Sequence, residues 1–511
     1  MPKLTKKLLD GSFRFPPEMD LPAYPDNLPE RVIQFGEGNF LRAFVDWMFH
    51  RLNNSGQWGG RVVVVQPIAD GLADRLNGQD GLYTLALRGL QDGQPTEDLS
   101  VIGVISRALS AYSQWDEVLK CAENPTIEYL ISNTTEAGIS HDPEDGPELA
   151  PPVSFPGKVT AYLYRRFRHF GGDAGKGMTI IPCELIDRNG DVLKKVVLRY
   201  AAEWKLPAEF AAWVEKSNLF LNTLVDRVVT GYPRDEVAAF AKRLGYEDGL
   251  LDTGERFHLW VIEGPARLAE KLPFTRIGLN VIWTDDMTPY RTRKVRVLNG
   301  AHTASVPAAF LYGLDTVGEM MDDKVTGRFV REAIYEEIIP ACGLDKDMLK
   351  SFADAVVERF RNPYIRHYLI SILLNSASKF KNRVLPSILD HQERFGRLPQ
   401  RLVFSLAALM AVYRDGKING AVMEARREKG SFEMRDDVFV LEAMAAAWAK
   451  YDDTDAGARA AVAEVLANTA LWGQDLNKVA GLSEATAGYL RSICRDGMAA
   501  AIAAVAGGER Q

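Results

Sequence analysis

Arg31-Val-Ile-Gln-Phe-Gly-Glu-Gly-Asn-Phe-Leu-Arg42 decides how this chain is read. A β-branched, apolar run breaks into two glycines one residue apart and passes directly into an amphipathic stretch, residues 40–52. A strand, a glycine turn and a helix in that order let a backbone approach a pyrophosphate while the helix N-terminus faces its charge. Gly56, Gly59 and Gly60 mark the next turn, and Arg61-Val-Val-Val-Val65 supplies the second strand of a βαβ unit. The cofactor-binding candidates are therefore Ile33, Phe35, Gly36, Glu37, Gly38, Asn39, Phe40 and Arg42, with Gln66 at the end of the second strand.

The glycine pattern is partial. Leu41 replaces the third glycine of the usual fingerprint, and Gln66 stands where an acidic residue would hold the adenosine ribose. On spacing alone, a plain strand-to-helix turn competes with a dinucleotide cradle. Arg42, in the first turn of the helix, is expected to reach a phosphate. With neither a ribose-binding carboxylate nor a 2′-phosphate arginine at position 66, these residues leave NAD and NADP open.

Outward from this unit, strand-like and helix-like segments alternate. Strands are expected at 83–87, 101–105, 128–132 and 178–182, and helices at 114–121, 158–170 and 192–204, which favours an α/β sheet. Residues 1–30, with six prolines, read as an irregular lead-in. Beyond residue 289 long amphipathic helices take over, at 294–310, 325–338, 348–360, 364–375, 401–413 and 438–451, with few strand-like runs. The fold class is α/β, a Rossmann-type domain over residues 1–286 followed by a mainly α-helical domain over 287–511.

The chain has 511 residues, 47% hydrophobic and 25% charged, which is material for more than one core. A formal charge of -7 is too mild and of the wrong sign for nucleic-acid binding as the main business. Four scattered cysteines with no CxxC pair suggest neither a disulfide framework nor a zinc site, and reduced thiols fit a cytoplasm. No run of about 18 apolar residues suggests a membrane span, and no h-region follows the first lysines.

A second stretch, Lys294-Val-Arg-Val-Leu-Asn-Gly-Ala-His302, carries the chemistry. On an α-helix, offsets of five and eight residues put Asn299 and His302 roughly 140° and 80° around from Lys294, on one broad face. Oxidising a secondary alcohol needs a base for the hydroxyl proton while hydride leaves carbon, and an amide or imidazole to hold the developing carbonyl oxygen. Lysine serves as that base only with a lowered pKa, and Arg291, Arg293 and Arg296 are the cations at hand to lower it.

The motifs GEGNFLRAF (36–44), Thr135-Glu136 before Gly138, Cys183 through Asn189-Gly190, Val225-Asp-Arg-Val228 and Lys294/Asn299/His302 together resemble the long-chain polyol dehydrogenase family typified by mannitol 2-dehydrogenase, over roughly residues 29–472. The resemblance implies NAD as cofactor, with Thr135 and Glu136 joining its binding set, and a metal-free reaction on a small sugar acid or sugar alcohol. It implies Lys294 as general base, Asn299 and Asn189 as carbonyl-polarising amides, His302 as a hydroxyl-positioning group and Lys379 as a further polar contact. It also implies a monomer, and no feature of the chain points to a nucleic-acid or membrane partner. Two departures stand out. Arg291 occupies the place of a family glutamate three residues before the base, and Ser371 the place of a family arginine. A sugar acid adds a carboxylate that asks for a fixed cation, for which Arg291, Arg366 and His367 are the candidates.

Overall fold

The computed structural model describes residues 1–91, 93–134 and 137–507. These form two compact units, Met1–Gly89 with Pro95–Met287, and Leu90–Gln94 with Thr288–Gln511.

The first unit is built on a six-stranded parallel sheet of β1 (Glu30–Phe35), β2 (Arg61–Gln66), β3 (Ile105–Ser110), β4 (Tyr129–Ser132), β5 (Thr179–Pro182) and β6 (Leu219–Phe220). The spatial order is β3-β2-β1-β4-β5-β6, every neighbouring pair parallel, which is the dinucleotide-binding order that reverses at β1. All six residues of β2 are buried, because helices cover both faces of a parallel sheet. The valines therefore divide by period two: Val62 and Val64 enter one core with Phe44, Phe49 and Trp260, while Val63 and Val65 enter the other with Val159, Leu163 and Val197.

Two further sheets flank this core. One joins Val229–Gly231, Asp252–Glu255, Tyr83–Gln91 and Gln94–Ile102, and the other joins Val281–Thr284, Leu259–Glu263 and Asn222–Asp226. The strand expected at 101–105 is in fact a break. Gln94–Ile102 ends, the chain turns at Gly103, where a Cβ would stand 2.8 Å from Pro22, and β3 begins at Ile105. The first 30 residues also exceed the irregular lead-in expected of them. They contain a 3₁₀ turn, Lys6–Asp10, and bury Leu4 and Met19 against Phe240, Tyr246 and Leu251.

The second unit is mainly helical. Helices Gly300–Tyr312 and Gln400–Val412 are buried along most of their length. Two expected helices open or close on wide turns: Lys294–Asn299 and Ala333–Ile338 are π-helical. The helix expected at 364–375 shrinks to Leu369–Leu373, since Asn362-Pro363 starts a turn and Asn375 takes φ of 54°. An antiparallel three-stranded sheet, Lys417–Asn419, Val422–Arg427 and Gly430–Arg435, interrupts the helices where no strand was expected.

Candidate active site

The site residues fall into two sets, one carried by each unit. In the first unit, Gly36 ends β1 with φ of 119°, and a Cβ there would stand 2.8 Å from the Asn133 carbonyl oxygen. Only glycine fits. Gly36 N–H donates to Val65 O at 2.9 Å and Asn133 N–H to Phe35 O at 3.2 Å, so the turn sits where β1 and β4 part, the switch point of the sheet. Beside Gly38 nothing lies within 4 Å of where a Cβ would be, which leaves its backbone open to a ligand. A tight turn, an open second glycine and a following helix fit the pyrophosphate of NAD.

Several side chains expected to touch the cofactor instead brace this turn. Arg42 is 1% exposed and donates to Glu37 O at 3.3 Å, Leu250 O at 2.6 Å and Asn39 Oδ1 at 2.5 Å. It also lies 3.6 Å from Asp252 and over the Tyr83 ring. The π turn Arg42–Asp46 begins at this residue, and the guanidinium is committed inward, away from the phosphate role expected of it. Gln66 Nε2 donates to Ile68 O and Ala69 O, and its Oε1 accepts from Ala73 N–H. It thus folds the loop after β2 and has no donor left for a ribose. Glu37 is buried beneath that loop, against Gly71, and accepts from Leu72 N–H. Ile33 and Phe35 are core side chains, and Phe40 stacks on Phe44 at 5.0 Å. Thr135 and Glu136 lie outside the described residues.

Beneath the turn, Gln34 Nε2 donates to Gly36 O and to Asp46 Oδ2, at 3.1 and 3.3 Å. Burial pushes the Asp46 and Asp252 carboxyls up to about 7 each, against the pull of Arg42 and of their hydrogen-bond donors. A carboxyl with a raised folded-state pKa holds more protons folded than unfolded between pH about 4 and 7. Its contribution is therefore fully present below the unfolded value and is lost as pH rises through the folded one. Asp46→Asn removes this loss, so relative to the wild type the variant should be more stable at pH 8 than at pH 5, by roughly 2–4 kcal/mol. Urea unfolding at the two pH values checks this, and an equal offset at both contradicts it.

Asn189 departs from the carbonyl-polarising role expected of it. It is fully buried, its Nδ2 donates to Pro182 O and Glu184 O, both at 3.0 Å, and its Oδ1 accepts from Gly190 and Thr223 N–H. Both amide protons are spent on pinning β5 to the helix Asn189–Glu203. Glu184, which the sequence reading passed over, accepts from Ser132 Oγ and from the Thr134 backbone and hydroxyl, closing the end of β4.

In the second unit, the π turn Lys294–Asn299 changes the helical arithmetic. Gly300 N–H reaches back to Val295 O, five residues earlier, the bond that defines the wider turn. The wider turn brings Asn299 closer to Lys294 around the axis than the roughly 140° of a regular α-helix. The first turn of the helix Gly300–Tyr312 then presents His302, whose ring stacks on Phe360 at 4.0 Å and meets His367 edge-on at 5.3 Å. His302 Nε2 is buried with no hydrogen-bond partner among the described residues. Burial, and then the charges of His367, Arg359 and Arg383, hold the His302 pKa well below the usual range, so the imidazole is neutral.

Lys379 Nζ donates to Ile372 O at 3.0 Å, and its charge, after burial, lowers the pKa of His367. Lys294/Asn299 and His302/His367/Lys379 are thus gathered within one unit. The arginines expected to surround Lys294 divide differently. Arg296 bonds Ser387 and Asp390, Arg293 lies over the rings of Tyr290 and Phe352, and Arg291 is exposed. Arg366 is also exposed. Arg359 and Arg383, absent from the sequence reading, are the arginines whose charges act on His302.

All four cysteines are free. Among the described residues, no cluster of His, Cys, Asp or Glu is placed to hold a metal ion, and no helix is long and apolar enough to cross a membrane.

Residues 30–276 match the mannitol dehydrogenase Rossmann domain, and residues 286–494 the mannitol dehydrogenase C-terminal domain. Proteins named altronate oxidoreductase, from Enterobacter sp. (strain 638) and Escherichia coli O1:K1 / APEC, are 51% identical over 475 residues, covering 93% of this chain and 96% of theirs. Among solved structures, Pseudomonas fluorescens mannitol 2-dehydrogenase, in a ternary complex with NAD and D-mannitol, superposes with a TM-score of 0.71 at 25% identity, over 99% of this chain and 100% of that one. A substrate-free D-sorbitol dehydrogenase shares the fold, with a TM-score of 0.77 at 23% identity over 98% of this chain and 100% of that one.

Proposed function

The chain belongs to the mannitol dehydrogenase family, and on that footing we propose that it interconverts D-tagaturonate and D-altronate with NAD(H). The observation that carries this choice of substrate is the 51% identity, over 93% of the chain, to proteins named for altronate oxidation. The basic groups around His302 agree with it, because a sugar acid brings the one anionic group that a hexitol lacks.

We assign cofactor binding to residues 1–286 and substrate binding with catalysis to residues 287–511. NADH, when bound, supplies the hydride; the proton is the protein's task. During reduction Lys294 gives its ammonium proton to the oxygen of the ketone, and during oxidation its amine takes the proton of the hydroxyl. The Asn299 amide donates to that oxygen as negative charge builds on it. His302, neutral, orients a neighbouring hydroxyl through Nε2, and Lys379 contributes a further polar contact. The scheme needs no metal, since lysine and amide carry the charge development, and one copy of the chain is the working unit the family resemblance implies. Four free thiols suit a reducing compartment, and the cytoplasm is where we place the reaction.

Initial rates of NADH oxidation with D-tagaturonate, D-fructuronate and D-fructose offered separately, then repeated with NADPH, test the assignment. Preference for tagaturonate with NADH is expected. Preference for fructuronate, which differs in one stereocentre, or for fructose would overturn the substrate.

A further inference from the structure

The surroundings of His302 point to residues beyond those used above. Its ring is covered on one face by Phe360, the last residue of the helix Lys346–Phe360, so Arg359 precedes the residue against which the imidazole packs. The helix Ser376–Arg383 ends close to the start of the helix that bears His302. A Cβ on Gly300 would stand 3.0 Å from the Arg383 carbonyl oxygen, a close approach that glycine permits. Arg359 and Arg383 are both partly buried, whereas Arg291 and Arg366 are exposed. With His367 5.3 Å from the His302 ring and Lys379 on the Arg383 helix, three segments bring basic side chains to one imidazole. That imidazole keeps a buried ring nitrogen without a partner among the described residues.

We infer that Arg359 and Arg383 hold the carboxylate of the sugar-acid substrate and so set the preference for a uronate over an uncharged sugar. This rests on the reading of the chain as a tagaturonate reductase. A partly buried guanidinium is screened less than an exposed one, and its planar fork matches a carboxylate. With the anion held there, His302 Nε2 has a neighbouring hydroxyl as its natural partner. The exposed pair Arg291 and Arg366, nominated by sequence for this task, is displaced from it.

The test compares D-tagaturonate with D-tagatose, which carries a hydroxymethyl group in place of the carboxylate. Arg383→Met, Arg359→Met and the conservative Arg383→Lys are measured alongside the wild type, with NADH binding followed by its fluorescence. Each methionine variant is expected to lose about 10- to 100-fold in kcat/KM for tagaturonate, mainly through KM, with NADH affinity kept. The preference for tagaturonate over tagatose should narrow by the same factor, and Arg383→Lys should recover part of the loss. An unchanged KM for tagaturonate in both methionine variants, or a loss shared equally by tagatose, would overturn the inference. A wild-type enzyme that ignores tagaturonate from the outset overturns the parent reading and this inference with it.

Discussion

Replacing Lys294 with methionine is expected to lower kcat for tagaturonate reduction about 10³-fold while leaving NADH affinity at the wild-type level. The side chain keeps most of its apolar length but loses the transferable proton, so substrate is met by a site that can deliver hydride without neutralising the oxygen it creates. Asn299 stays in place and stabilises part of that charge, which is why some turnover should persist. Because both groups act on the same oxygen in this scheme, their contributions are coupled. The double variant with Asn299→Ala should fall short of the product of the two single losses. Steady-state kinetics with fluorescence titration of NADH checks the set. A Lys294→Met enzyme that retains wild-type kcat removes this residue from the mechanism.

Arg42→Met should be the most destabilising single change in the first unit, costing about 3–5 kcal/mol. The guanidinium supplies donors to two backbone carbonyls and to Asn39, and it is the cation nearest two buried carboxyls, Asp46 and Asp252. Without it both carboxyls lose their counter-charge and the glycine turn loses its brace from below. The sign of the pH effect follows from the raised carboxyl values. Below pH about 6 both groups are mostly protonated, so the loss should be smaller at pH 5 than at pH 8, where both would have to be charged. Urea unfolding at the two pH values reads the difference. Adding Asp46→Asn and Asp252→Asn should restore part of the stability lost at pH 8. A pH-independent loss, with no rescue, would mean that only the backbone hydrogen bonds matter.

What was legible in the sequence is what local pattern controls. The valine run Arg61–Gln66 is buried on both faces and reads as parallel-sheet core from composition alone. Gly36 announces its turn because no other residue tolerates φ of 119° against the Asn133 carbonyl. The direction in which a polar side chain turns is set by tertiary partners, and there the sequence was silent. Arg42 sits at the right position for a phosphate yet finds carbonyls at Glu37 and Leu250, the second of them more than 200 residues away. Asn189 and Gln66 likewise spend their amides on local backbone.

The wide turn Lys294–Asn299 has no residue signature, since one extra residue in a helical turn leaves the apolar pattern almost intact. A straight helix is the natural reading, and it spaces Asn299 wider of Lys294 than the π turn does. The strands from Lys417 to Arg435 were passed over because exposed, charged residues dominate them, with only Met423, Ala425 and Met434 buried. Arg359 and Arg383 lie 57 and 81 residues beyond His302, and only the folded unit brings them to it.

The most direct test of the central claim is transfer of deuterium from NADH deuterated at the reactive position of the nicotinamide to D-tagaturonate, with the product examined by NMR. The account predicts D-altronate carrying one deuterium on the former ketone carbon, absent when Lys294→Met replaces the wild type on the same timescale. An enzyme that binds the deuterated cofactor but leaves tagaturonate unlabelled, or that places solvent hydrogen on that carbon, would contradict it.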